Sequence, residues 1–115
     1  MDEIEFKRRT KEIGLRVIRL IDALPNSRAA DVLGRQLLRS ATSIGSNYRA
    51  ACRAKSRADM LAKLAIVEEE ADETLHWLEM LGESGIIPAA RISLLGQEVN
   101  EVIAMVVASI KTLRR

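Results

Sequence analysis

Aromatic side chains are almost missing from this chain: Phe6, Tyr48 and Trp77 are the only three in 115 residues. An interior with so few rings must be filled by Leu, Ile, Val and Ala, the composition of cores built from helices. Only two prolines and six glycines interrupt it. The single cysteine, Cys52, excludes an internal disulfide and a cysteine zinc cluster within one chain, which leaves it the role of a small buried hydrophobe. Residues 1–12 are charged and lack the apolar centre of a signal peptide. No apolar run is expected to reach the roughly 20 residues that span a bilayer, so the expectation is a soluble cytoplasmic protein with no membrane partner.

What is present is an apolar fraction of 48% and a charged fraction of 30%, a globular balance. The length suits one domain, residues 1–115, with one core. Net charge is only +2, but it is unevenly spread. Residues 27–63 hold eight basic side chains against Asp31 and Asp59, whereas residues 64–85 hold seven acids and no Lys or Arg. Opposite charge on adjacent helices serves pairing first; an anion-binding face is the alternative.

Four helices of roughly 20 to 27 residues follow from the apolar spacing and the breaks. The first opens on an Asp2-x-x-Glu5 cap, carries Phe6, Ile13, Val17, Leu20 and Leu24 on one stripe, and stops before Pro25. Ser27 caps the second, whose stripe runs Leu33, Leu37, Ala41, Ile44, Tyr48 and Cys52. Small residues from Ser40 to Ser46, Gly45 among them, imply close packing within the subunit or against another. Ser56 and Asp59 cap the third, with a seam of Leu61, Leu64, Glu68, Ala71, Leu75 and Leu78. Gly82 and Gly85 close it, and Pro88 opens a fourth helix with Ile92, Leu95, Val99, Val102, Val106, Ile110 and Leu113 on its stripe. The fold class is therefore all-α: an antiparallel up-down-up-down four-helix bundle with shallow, coiled-coil-like crossings.

A carboxylate in a seam is costly to bury without a partner, so Glu68 stands out. Folding back at 54–56 places Arg39 near Ala71, Ser43 near Val67 and Asn47 near Lys63. One structural polar layer of Arg39, Ser43, Asn47, Glu68 and Asp72 is expected, with Arg39 paired to Glu68 or Asp72. Read instead as a metal pocket, the layer would need Glu-x-x-His motifs on facing helices. Glu73 to His76 supplies one, and the chain has no second histidine, so no metal or other cofactor is expected. Tyr48 and Trp77 read as core or interface aromatics with bonded polar tips, base stacking being the sharper alternative. No phosphate loop or nucleophile elbow occurs, and Ser40, Ser43 and Ser46 lack a histidine at helical spacing.

Ser40-Ala41-Thr42-Ser43-Ile44-Gly45-Ser46-Asn47, followed by Arg53, Ser56 and the acidic block at 68–73, resembles an S-x-x-S-I-x-x-N core. It is the pattern of bacterial four-helix-bundle proteins encoded in intervening sequences of large-subunit ribosomal RNA genes. The resemblance spans the whole chain and is strongest over 36–81. After the asparagine this chain has Tyr48-Arg49-Ala50-Ala51, where many members continue Ile-Ala-Glu-Gly. The resemblance implies an up-down bundle and homopentamers with a central opening, and it implies no established activity. The expectation is thus a non-enzymatic homo-oligomeric scaffold or binding module with no known small-molecule ligand. The alternative is a ring that binds RNA or DNA through Arg49, Arg53, Lys55 and Arg57.

Overall fold

The computed structural model describes residues 2–115 and contains α1 (Glu3–Asp22), α2 (Arg28–Cys52), α3 (Arg57–Glu83) and α4 (Ala89–Arg114), with no strand among the described residues. Each start is set locally. The Ser27 hydroxyl accepts from Ala30 N at 3.1 Å, and Ser56 accepts from Asp59 N at 3.0 Å while the Asp59 carboxylate reaches back to Lys55 N at 3.1 Å. These bonds satisfy N–H groups that a helix start leaves without partners. Asp2 likewise accepts from Glu5 N at 2.7 Å, but the Glu5 carboxylate turns to Arg8 at 2.6 Å instead of closing the box. Gly85 ends the turn after α3 with φ at +79°, a conformation in which a Cβ is strained.

Consecutive helices run antiparallel. Along α1 and α2, Gly34 lies beside Leu24, Gly14 beside Thr42, and Gly45 beside Thr10 and Lys11, so one number falls as the other rises. The same reversal brings Gly82 of α3 against Ile92 of α4. Around the ring the neighbours are α1–α2, α2–α3, α3–α4 and, more sparsely, α4–α1, in a rod of 46 × 21 × 20 Å. Thr42 and Gly45 of the small-residue stretch turn out to face α1: a Cβ on Gly45 would come within 3.4 Å of the Lys11 backbone. Close backbone approach within the subunit explains why the sequence tolerates glycine in mid-helix.

Ile13, Val17, Leu37, Ala41, Ile44, Val67, Ala71, Val99 and Val102 are fully enclosed, so every helix contributes to one cluster. On α4 the buried set is Ile92, Leu95, Val99, Val102, Val106 and Ile110, as its spacing predicts. The membrane expectation needs correcting in one respect: α4 is long and apolar enough, by length and composition alone, to cross a membrane. Only 28% of that stretch is buried inside the bundle, so its apolar surface exceeds what the core uses.

Where α1 and α4 touch lightly, Arg9 ties them. Its guanidinium donates to Glu98 at 2.8 Å and to Glu101 at 3.1 Å, with the Met105 sulfur 3.3 Å away. The Glu98 hydrogen bond is the main reason its pKa lies above the ordinary arginine value. Replacing Arg9 with Ala strands the half-buried Glu98 carboxylate and is expected to cost roughly 1.5–3 kcal/mol. Urea unfolding midpoints measure this, and Arg9→Lys should recover only part of the loss, because an ammonium lacks the fork that spans two carboxylates.

Candidate functional site

The α3 seam differs from the expected one. Its buried residues are Leu64, Val67, Ala71, Thr74, Leu78 and Leu81, a regular alternation of three and four. Leu61, Glu68 and Leu75 are half-buried to one side. Rotating the helix this way replaces a buried carboxylate with a valine and a hydroxyl, which is far less costly in an apolar interior. Thr74 brings its Oγ1 to 3.0 Å from Ser40 Oγ and 2.8 Å from the Glu70 carbonyl, while Ser40 donates to the Leu37 carbonyl at 3.2 Å. No buried side-chain polar atom among the described residues lacks a partner.

The polar layer expected from sequence is corrected accordingly. Arg39 pairs with Glu70 at 3.3 Å and with Glu73, not with Glu68 or Asp72. Glu73 also accepts from Trp77 Nε1 at 3.2 Å, giving the tryptophan its polar bond. Ser43 and Asn47 serve each other within α2: the Asn47 amide donates to the Ser43 carbonyl and hydroxyl, each at 2.9 Å. Asp72 is exposed. Sequence reasoning missed Ser40, Thr74, Glu70 and Glu73; the 64-67-71-74-78-81 set has the same three-and-four spacing as the expected seam, and the one hint in its favour was that it holds no acid.

Arg49, Arg53 and Lys55, three of the four cations expected to touch nucleic acid, do line one cleft of about 500 Å³. Lys63 joins them; Arg57, on the first turn of α3, lies outside the lining. The cleft sits where α2 ends and α3 begins, so the α2 carbonyl terminus favours cations there. Its only acid is Asp59, held to Lys63 at 3.0 Å. The Lys63 ammonium and then the Lys55 N–H hold the Asp59 carboxyl below its ordinary 3.8. Ser46 and Arg49 also border an adjoining groove of about 690 Å³ between α1 and α2, rimmed by Lys7, Arg8 and Lys11. Among the described residues Lys11, Arg49, Arg53, Lys55 and Arg57 form no side-chain ion pair.

An apolar cavity of about 480 Å³ lies at the same end, walled by Phe6, Tyr48, Met60, Leu64, Met105 and Leu113. The Phe6 and Tyr48 rings pack at 4.6 Å. Burial, then the nearby Cys52 thiol, pushes the Tyr48 hydroxyl well above its ordinary pKa. Cys52 is half-buried, and burial pushes its thiol up as well, which disfavours the nucleophilic thiolate. His76 is exposed and packs edge-on against Trp77 at 4.7 Å, while its Glu-x-x-His partner Glu73 is taken by Arg39 and Trp77. Among the described residues no group of three or more His, Cys, Asp or Glu is arranged to hold a metal ion.

Two comparisons bear on this architecture. The family model for 23S rRNA-intervening sequence proteins matches residues 2–108. A solved structure from Bacteroides thetaiotaomicron, described as a protein with unknown function from the S23 ribosomal protein family, is 35% identical. The similarity covers 96% of this chain and 99% of that one, with a TM-score of 0.89. No curated protein matches.

Because Arg39 is half exposed, Arg39→Ala should lower stability by no more than about 1 kcal/mol, and the difference should shrink in 1 M salt. Denaturant titrations at two salt concentrations test this. Asp59 has a folded pKa below its unfolded value, so its contribution is full above the ordinary 3.8 and fades as pH falls through the depressed value. Thermal midpoints should therefore decline with acid below that point, and Asp59→Asn should flatten part of the decline.

Proposed function

Since the chain belongs to the 23S rRNA-intervening sequence protein family, we propose that it is a non-enzymatic, homo-oligomeric helical-bundle module that acts by binding or scaffolding in the cytoplasm. The observation that carries this reading is apolar surface left outside the core. Ile4 is 80% exposed, Leu94 68% and Val32 55%, and Leu15, Ile18, Ile66 and Met80 are also exposed. Of these, Leu15 and Ile18 lie together in the groove between α1 and α2, and apolar side chains gathered at one place, unlike ones scattered singly, mark a surface where something docks. The resemblance seen in the sequence implies five copies. A raised thiol pKa at Cys52 and an occupied Glu73 further support a role without catalysis. Light scattering on the purified chain should give five times the 12.8 kDa of one copy, and a monomer at all concentrations would refute the reading.

A second reading is favoured by one observation, the meeting of Arg49, Arg53, Lys55 and Lys63 in a single cleft. Such a cleft suits a phosphate backbone. Binding of single-stranded RNA should then weaken by roughly 0.7 log unit per log unit of salt for each phosphate neutralised. Arg53→Ala with Lys55→Ala should lower that slope, and binding indifferent to salt argues against the cleft as a phosphate site.

A further inference from the structure

We infer that the cation-rimmed groove between α1 and α2 seats the acidic outer face of α3 from a second copy of this chain. The inference rests on the homo-oligomeric reading and names its contact surface. Leu15 and Ile18, 41% and 43% exposed, put apolar side chains along the groove. Gly14 and Gly45 let α1 and α2 close on each other and so form its floor. Lys7, Arg8, Lys11 and Arg49 stand along it, and no acid is in its lining; Lys7 and Arg8 are paired along α1 with Glu3 at 3.7 Å and Glu5 at 2.6 Å, whereas Lys11 and Arg49 have no ion pair among the described residues.

The matching surface is on α3. Ile66, Glu69, Glu73, His76 and Met80 recur at spacings of three and four, which places them on one side of the helix. Ile66 and Met80 are exposed apolar residues. Glu69 and Asp72 are exposed acids without an ion pair among the described residues. One surface is apolar and positive, the other apolar and negative, and every copy carries both at equal concentration. Charge complementarity of this kind fixes partner and register. Because the two surfaces differ, the contact is head-to-tail and generates a closed ring when its rotation closes.

The test reverses charge on each side while leaving Arg53, Lys55 and Lys63 untouched. Arg8→Glu/Lys11→Glu and, separately, Glu69→Lys/Asp72→Lys should each weaken self-association at least about tenfold, read by light scattering across a dilution series. Mixing the two variants should restore contacts between unlike copies, because each then offers the charge the other needs; the junctions must alternate, so a ring of five keeps one mismatched junction and recovery should appear as pairs and even-numbered species. A chain carrying all four changes should also assemble, which separates loss of an interface from loss of fold. If the parent assembles and both variants keep its mass, the surface assignment is overturned and the oligomeric reading stands. If the parent stays monomeric, both fall.

Discussion

A helix with seven carboxylates between residues 64 and 85, and no cation of its own there, must draw its counter-charge from elsewhere. The neighbouring helix α2 answers part of that need. Arg39 of α2 meets two of the seven, Glu70 and Glu73, at the edge of the α2–α3 contact. Immediately inside that edge the Ser40 and Thr74 hydroxyls meet, and beyond them the interior is aliphatic apart from the Phe6 ring and the Thr10 hydroxyl, which donates to the Phe6 carbonyl. Charge is kept at the rim, three hydroxyls that find partners are admitted, and carboxylates are excluded from the core. This ordering follows the relative costs of burial: several kcal/mol for an ion, against a hydroxyl whose internal hydrogen bond offsets its loss of water.

The other charges follow from the same limit. One arginine serves two acids, so Glu68, Glu69, Asp72, Glu79 and Glu83 keep no ion pair among the described residues. Several cations, among them Lys11, Arg49, Arg53 and Lys55, which form no ion pair among the described residues, lie at the end of α2 and along α1, in two adjoining hollows that share Ser46 and Arg49. The molecule is thus electrically two-sided although its net charge is only +2. A small domain of that kind, with apolar residues left at its surface, is suited to contact with another macromolecule more than to chemistry on a small one.

Much of this was legible before any coordinates. The helix starts at Ser27 and Ser56, the break at Pro25 and the α4 stripe from Ile92 to Ile110 are local signals, and local physics decides them. The rotation of α3 was not legible in the same way, because leucines at 61, 64, 75 and 78 support two competing seams. Only packing against α2 chooses between them, by weighing a glutamate against a threonine. The Arg39 partners moved by up to a turn for the same reason. In the basic cleft Arg49, Arg53 and Lys55 follow from the end of α2, whereas the exclusion of Arg57 and the entry of Lys63 depend on the direction in which α3 leaves the turn.

The central claim is the register of α3 on α2, and a covalent trap tests it most directly. In a Cys52→Ala background, Ser40→Cys with Thr74→Cys puts two sulfurs where hydroxyl oxygens now lie 3.0 Å apart. A disulfide should form rapidly under mild oxidation with helicity retained, whereas Ser40→Cys paired with Glu68→Cys should stay reduced. Closure of the second pair in preference to the first would show that the carboxylate-bearing seam is the real one.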